Sequence, residues 1–259
     1  MLKTIPCYSD MESVETMKIT DKKELVKLIS YISMGDGGLY SRNGWNAMFI
    51  MNMKAENKDY IDFCQGILEN LVGCKQYVRK DYNTDGCTRQ PQIRLESKTH
   101  PELTKIRDRI YTDKYKGVDP HALKMLDAQA LAILYMCDGS LGEYHRESIG
   151  MVNPSYNVYL NMKRLSYGDL FILKKALKEK LDLEWNINRQ NQYYYLRLRM
   201  KDLDKFMEMV APHVLPSFQY KIKSDFRVVS PSEEGGEIVR TPQKCGEVGR
   251  NDQPRVEHE

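Results

Sequence analysis

Two apolar segments that each end in Asp-Gly constrain the fold of this chain more than any other feature. They run ISYISMGDG over residues 29–37 and LAILYMCDG over residues 131–139. A single Asp-Gly is ordinary turn chemistry, because glycine readily adopts a positive φ. Two of them, each closing an apolar helix, predict helices that pack side by side and bring Asp36 close to Asp138. Paired carboxylates repel each other unless a cation lies between them, so the pattern indicates a divalent metal site.

The chain reads as two similar halves, each with a helix ending in Asp-Gly, strand-like segments, a second helix, further strands and a closing helix. In the first half, Asp21 and Glu24 have the spacing of a capping box at the start of the first helix. Periodicity then predicts a strand over 47–53, a helix over 58–71, a hairpin of 74–80 with 92–97 around Asp85-Gly86, and a helix over 101–111.

The second half repeats this order. Leu126 and Asp127 supply a hydrophobic staple and an N-cap. The predicted elements are a helix over 128–137, a strand over 157–163, a helix over 167–180, a hairpin of 184–189 with 193–200, and a helix over 203–214. We therefore divide the chain into an N-terminal extension (1–19), a first repeat (20–120), a second repeat (121–222) and a disordered, Pro- and Gly-containing tail (223–259).

Composition excludes several classes of protein. Of the 259 residues, 41% are hydrophobic and 29% are charged, which predicts a packed core. The longest apolar run, Ala130–Cys137, is far too short to span a bilayer, and no secretory signal is evident. Six cysteines without C-x-x-C spacing predict free thiols in a reducing compartment. The net charge of +3 permits nucleic acid binding without requiring it.

The two Asp-Gly segments resemble degenerate copies of the LAGLIDADG motif of homing endonucleases. The second copy, LDAQALAILYMCDGSL, is especially similar to the form LTPxxLAxWxMDDGSL of the monomeric, two-motif members. NKDYIDF, SKTHPELTKIRDRIY and HVLPSFQYKI extend the resemblance over nearly all of residues 20–222. In two places the chain departs from the family pattern: Tyr31 replaces a glycine at the helix crossing, which predicts a wider crossing, and Cys137 replaces the first aspartate of Met-Asp-Asp-Gly.

This resemblance implies an α/β (α+β) fold of two pseudo-symmetric αββαββα repeats that form a saddle-shaped, monomeric protein. It further implies a site-specific endonuclease that makes a metal-dependent double-strand cut in a long asymmetric DNA target and promotes intron mobility. The implied location is intracellular, where the host DNA is: a bacterial or phage-infected cytoplasm, or an organelle. An RNA-splicing maturase that binds its intron RNA and a non-catalytic DNA-binding regulator remain alternatives. Retention of both aspartates argues against the regulator, because acidic groups beside phosphates do not help binding.

The resemblance also implies the catalytic and metal-binding residues. Asp36 and Asp138 would hold two or three Mg²⁺ ions, with Mn²⁺ as a substitute, and the backbone carbonyls of Gly35 and Cys137 are further candidate ligands. Lys221 and Lys116 match the basic residue expected near each centre, and Lys114 is the second choice for the latter. Such a lysine can orient water or neutralise the leaving oxygen.

The strands supply the predicted contacts to double-stranded DNA, since a twisted antiparallel sheet can lie in the major groove. Arginine pairs with guanine, asparagine and glutamine pair with adenine, and lysine holds phosphates. Alternation alone also fits a merely solvated sheet face; the motif pair favours the DNA-binding interpretation. The predicted contact residues are Asn52, Lys75, Tyr77, Arg79, Gln92, Arg94, Lys163, Asn186, Asn188, Tyr195, Arg197 and Arg199. Of these, the resemblance puts Asn52 and Lys163 on strands near the metals.

Overall fold

A computed structural model of the protein describes residues 18–42, 44–79, 91–113, 115–144 and 155–226. The first half contains α1 (Lys22–Met34), β1 (Gly38–Tyr40), β2 (Met48–Lys54), α2 (Lys58–Glu69), β3 (Cys74–Arg79), β4 (Gln92–Ser97) and α3 (Pro101–Ile110). A link follows with β5 (Tyr111–Thr112), β6 (Tyr115–Lys116) and α4 (Pro120–Lys124). The second half contains α5 (Ala128–Asp138), β7 (Gly139–Tyr144), β8 (Ser155–Leu160), α6 (Tyr167–Leu181), β9 (Trp185–Gln190), β10 (Tyr193–Leu198) and α7 (Leu203–Val210).

Each half contributes one antiparallel four-stranded sheet, and the two sheets have the same strand order. The order is β1-β2-β4-β3 in the first and β7-β8-β10-β9 in the second. Strand β1 directly follows Asp36-Gly37, and β7 begins at Gly139 of the second pair. Periodicity does not predict either strand, because both contain glycine and lack clean alternation. With them, both halves follow the αββαββα order.

The two motif helices α1 and α5 run side by side in the same direction through the core. Lys27 of α1, only 3% exposed, donates to Asp127 at the start of α5 over 2.5 Å. At the other end of the helices, a side chain on Gly35 would overlap the Cys137 sulfur, so only glycine permits this approach. Between these two points nearly every side chain is buried, which is typical of helices enclosed by the protein. The motif pair therefore joins the two halves into one core.

The predicted caps are present, with one difference. Asp21 accepts the Lys23 N–H over 2.8 Å and Asp127 accepts the Ala130 N–H over 2.9 Å. The prediction that Glu24 completes a capping box is wrong: its carboxylate pairs with Lys27 at 2.7 Å. An ion pair with a buried ammonium outweighs a backbone contact that water can replace.

Several predicted features differ or lie outside the described residues. The closing helix α7 ends at Val210, and a 3-10 turn over Ala211–His213 follows because Pro212 cannot continue the helix. A second 3-10 turn, Pro216–Lys221, returns the chain toward α2. Residues 1–17, Lys114, the Asp85-Gly86 loop and the tail beyond 226 lie outside the described residues. Within the described ranges, no helix is both long and apolar enough to cross a membrane.

Candidate active site

Asp36 and Asp138 lie where the two motif helices end. Asp36 follows Gly35, the C-cap of α1, and Asp138 is the last residue of α5. Asp36 is exposed and Asp138 is partly buried, but the surrounding protein displaces much of the water around both. Burial, and then the charge of Asp36, raise the pKa of Asp138 to about 6. Burial also raises the pKa of Asp36. Asp36 thus lies close enough to Asp138 for its charge to make ionisation of Asp138 harder.

Lys116, on β6, reaches the end of α1. Its ammonium donates to the backbone carbonyls of Gly35 and Gly37, over 2.9 Å in the second case. Burial lowers the pKa of Lys116 to about 8, although Asp138 and Asp36 act in the opposite direction. A lysine at this position neutralises the unpaired carbonyls of a helix C-terminus and adds positive charge beside the carboxylates.

Lys221 holds the equivalent position at the end of α5. Its ammonium donates to the carbonyls of Met136 at 2.7 Å and Tyr135 at 3.3 Å. The Tyr135 hydroxyl in turn donates to the Lys221 carbonyl at 2.7 Å, which fixes the lysine backbone. Burial lowers the pKa of Lys221 as well. Each motif helix therefore ends against one buried lysine, and both lysines face the same pair of aspartates.

Cys137, the departure from the usual motif, packs between the helices. Its sulfur lies 2.9 Å from the Tyr60 hydroxyl of α2. Burial, followed by the charges of Asp36 and Asp138, raises the pKa of the Cys137 thiol. The side chain is thus a neutral thiol at physiological pH, and a metal ligand from this residue would be its carbonyl oxygen.

The strands next to the motifs place two asparagines in equivalent positions. In the first sheet Gly38 pairs with Ile50, and the exposed Asn52 lies two residues further along β2 on the same face. The register Gly139↔Leu160, continued by one residue, puts Asn161 opposite Asp138, and the Asn161 N–H donates to the Asp138 carbonyl at 2.7 Å. The expectation that Lys163 occupies this strand position is wrong, because β8 ends at Leu160 and Lys163 lies in the following turn.

The sequence reasoning also missed Arg164. This exposed residue in the turn after β8 carries a positive charge close to both carboxylates. Burial dominates the raised pKa of Asp138, but Lys116, Lys221 and then Arg164 each lower it. Nothing in the local sequence marks Arg164, because its distance from Asp138 depends on the path of the turn.

The outward face of the first sheet carries the predicted polar residues. Ile93 and Leu95 point into the core, so Gln92 and Arg94 lie on the opposite face of β4. By register, Asn52 and Tyr77 flank Arg94, and Lys75 lies beside Glu96. Arg94 forms an ion pair with Glu96. Arg79 lies opposite Gln92 in the register, and its side chain is outside the described part of the protein.

In the second sheet, Leu196 and Leu198 are buried, so Tyr195 and Arg197 lie on the outward face of β10. The register places Asn188 opposite Tyr195 and Asn186 opposite Arg197. Arg199 follows the end of β10 and forms an ion pair with Glu184 at 2.9 Å. The structure therefore collects Asn186, Asn188, Tyr195 and Arg197 on one surface, with Arg199 at its margin.

Comparison with known proteins identifies the family. The sequence profile of the LAGLIDADG DNA endonuclease family matches residues 32–206, roughly two thirds of the chain. Protein RecA of Mycolicibacterium flavescens is 30% identical over 85% of this chain and 51% of its own length. An uncharacterized protein of Methanocaldococcus jannaschii is 27% identical over 78% of this chain and 74% of its own length. The chain thus spans about half the length of the RecA relative.

A solved structure has the same fold. The homing endonuclease I-WcaI bound to its DNA recognition sequence superposes with a TM-score of 0.65 at 20% identity, covering 78% of this chain and 86% of that protein. Both the mixed α/β architecture with two antiparallel sheets and the family resemblance are thereby confirmed. This protein belongs to the LAGLIDADG DNA endonuclease family, as a DNA endonuclease or a related member of it.

Proposed function

We propose that this protein is a monomeric homing endonuclease that cuts both strands of a long, asymmetric DNA site in a reaction requiring Mg²⁺. The observation that carries the proposal is the convergence of Asp36 and Asp138 with two buried lysines at the ends of the motif helices. A protein that only binds DNA has no use for two carboxylates with raised pKa values beside the phosphates, because burial and repulsion make them costly. A metal-dependent nuclease needs both carboxylates, because they hold the metal ions beside the phosphates.

The donor set fits Mg²⁺. The described residues contain no cluster of three or more His, Cys, Asp and Glu side chains that could hold a metal ion. Protein side chains of this part of the chain therefore cannot supply a complete coordination sphere. Mg²⁺ instead keeps several waters and binds through one or two carboxylates together with substrate phosphates. Asp36 and Asp138 would supply the carboxylates, and the carbonyls of Gly35 and Cys137 are candidates for further ligands. The Gly35 carbonyl already accepts a hydrogen bond from Lys116 and keeps one lone pair for this role.

Bound divalent ions, two or three Mg²⁺ or substituting Mn²⁺, would supply Lewis-acid stabilisation of phosphate charge and a water of lowered pKa. The chain's own part is electrostatic. Lys116 and Lys221 bring two positive charges to the point where negative charge develops on the phosphates. Their bonds to the helix-end carbonyls hold both ammonium groups in place before substrate binds. Asn161, which is bonded to the Asp138 backbone, and Asn52 at the equivalent position of the first half would orient water.

In this proposal the first repeat (20–120) and second repeat (121–222) each contact one half of the DNA site. The outward residues of both sheets lie in the major groove, and one chain completes the site because it supplies both aspartates. Promotion of intron mobility is the proposed biological role. Activity as an intron RNA maturase is an additional outcome that the experiments below would reveal.

The test is DNA cleavage by the wild type, by Asp36→Asn and by Asp138→Asn, on a plasmid library of candidate intron-insertion sites with Mg²⁺, with Mn²⁺ and with EDTA. We expect double-strand cuts by the wild type with either metal and none by either variant, while DNA binding remains or tightens. Glu208→Gln, on the exposed side of α7, is the matched control because it removes a distant carboxylate. Cleavage by either aspartate variant at the wild-type rate would overturn the assignment. Binding without cutting by the wild type would identify a regulator, and splicing of an intron transcript would identify a maturase.

A further inference from the structure

The outward faces of the two sheets differ in chemistry. On the second sheet, amide and hydroxyl side chains dominate: Asn186, Asn188 and Gln190 from β9, Tyr195 from β10, Tyr159 from β8 and Tyr144 from β7. Buried residues on the same strands, such as Trp185, Leu196 and Val158, fix which side faces outward. Among the outward residues of these four described strands, Arg197 is the one that carries a formal charge. This surface is therefore polar and almost neutral.

The tyrosines of this face hold one another in place. The hydroxyl groups of Tyr144 and Tyr159 lie 3.1 Å apart, and the rings of Tyr159 and Tyr195 meet edge to face with centroids 5.8 Å apart. Such contacts restrict the side-chain rotamers, so the ring edges are presented in a defined arrangement. The three tyrosine side chains of this face therefore keep fixed positions relative to one another.

The single cation is also held. Arg197 donates to the Asn157 side-chain oxygen at 2.6 and 3.1 Å, and Asn157 is itself nearly buried. Part of the guanidinium is thus already engaged before DNA arrives. The remaining donors suffice for one contact to a guanine or a phosphate.

The first sheet adds cations to side chains of the same kind. Beside Asn52, Gln92 and Tyr77, its outward face carries Lys54, Lys75 and Arg94. Arg94 pairs with Glu96, the one acidic residue of this face in the described strands. Lysine and arginine only donate hydrogen bonds, which suits guanine and phosphate, both of which only accept in the major groove. The added cations therefore favour guanines and phosphates under the first sheet more than under the second.

We propose that the two halves of the DNA target differ in base composition: the half under the second sheet is rich in A·T pairs, and the half under the first sheet contains the guanines. Asparagine and glutamine present a donor and an acceptor together, which matches adenine and leaves one group unpaired against guanine. The ring edges of the tyrosines form apolar contacts with thymine methyl groups. A G·C pair under the second sheet loses both kinds of contact. This inference rests on the proposed DNA-binding function and goes beyond it by giving the composition and orientation of the site.

The experiment is selection of bound duplexes from a randomised DNA library by the full chain at one fixed salt concentration. The selection is repeated with Asn188→Ala, which alters the second sheet, and with Arg94→Ala, which alters the first. We expect the wild type to select a site with one A·T-rich half. Asn188→Ala should reduce A·T discrimination in that half by roughly 5- to 150-fold at one position, the range of one bidentate contact. Arg94→Ala should relax the other half.

Thermal unfolding of both variants separates loss of contact from loss of fold, and Asn186→Ala, on the same face of β9, replaces Asn188→Ala if the latter unfolds. Selection of mainly G·C pairs in the half that depends on Asn188 or Asn186 would overturn the inference and leave the endonuclease proposal intact. An A·T-rich half that depends on Arg94 would likewise overturn the inference and leave the endonuclease proposal intact. Failure of the wild type to enrich any sequence would overturn the proposed function itself.

Discussion

Without metal, the substitution Asp138→Asn should stabilise the protein at neutral pH. In the fold, burial and the neighbouring Asp36 raise the pKa of Asp138 from 3.8 to about 6. A carboxyl whose pKa is higher in the folded state stabilises the fold fully below its unfolded pKa. That contribution is lost as the pH rises from about 4 through about 6. Asparagine has nearly the same shape and never ionises, so the variant escapes this loss.

The size of the effect follows from the shift. Each unit of pKa difference is worth about 1.4 kcal/mol, so a rise of about two units costs the wild type about 2–3 kcal/mol above pH 7. The lower end of this range applies because Asp138 is only partly buried and water screens part of the repulsion. For a protein of this size, we expect the Tm of the variant to exceed that of the wild type by roughly 4–10 °C.

The assay is thermal and urea unfolding of both proteins in EDTA between pH 4 and pH 8. The difference should be small at pH 4 and reach its full value above pH 7. Glu208→Gln should show no such pH-dependent gain, since Glu208 lies on an exposed helix surface. Addition of Mg²⁺ should raise the Tm of the wild type and leave that of the variant unchanged. A variant that is less stable than the wild type at pH 7.5, or a difference independent of pH, would refute the raised pKa of Asp138.

Three further substitutions test the packing and the interface. Gly35→Ala should destabilise the fold by about 1–3 kcal/mol in urea unfolding, because its new methyl group overlaps the Cys137 sulfur; Cys137→Ala in the same chain should restore part of the loss. Asp119→Ala should cost about 3–5 kcal/mol by the same measurement, since it leaves Arg109, which Asp119 binds at 2.9 Å, without its buried partner; full stability would contradict this. Arg197→Ala should weaken DNA binding by about 1–3 kcal/mol if it contacts a guanine, or lower the salt slope by about one if it contacts a phosphate; no change in either titration would remove β10 from the interface.

Local sequence determined most of the elements. Apolar periodicity, with Asp21 and Asp127 as N-caps and a glycine after each helix, predicted α1 and α5 to within about a residue. Caps and periodicity act within a few residues, so they are readable without a partner segment. Alternation likewise predicted the β9–β10 hairpin. It failed after Leu160, because Met162 is buried outside the strand and continued the pattern past the true end of β8.

The sequence by itself therefore determined most of the helices and strands and, through its two motifs, the two aspartates that matter most. What only the tertiary structure decided is which other groups surround them. Asn161 and Arg164 reach the aspartates because of the turn after β8, and Arg197 is held by Asn157 because β8 and β10 are neighbours in the sheet. Such neighbours come from segments far apart in the chain, and their distances depend on how the sheets pack against α1 and α5. No local pattern encodes those distances, whereas a cap or an apolar stripe depends on residues that are close together in the sequence.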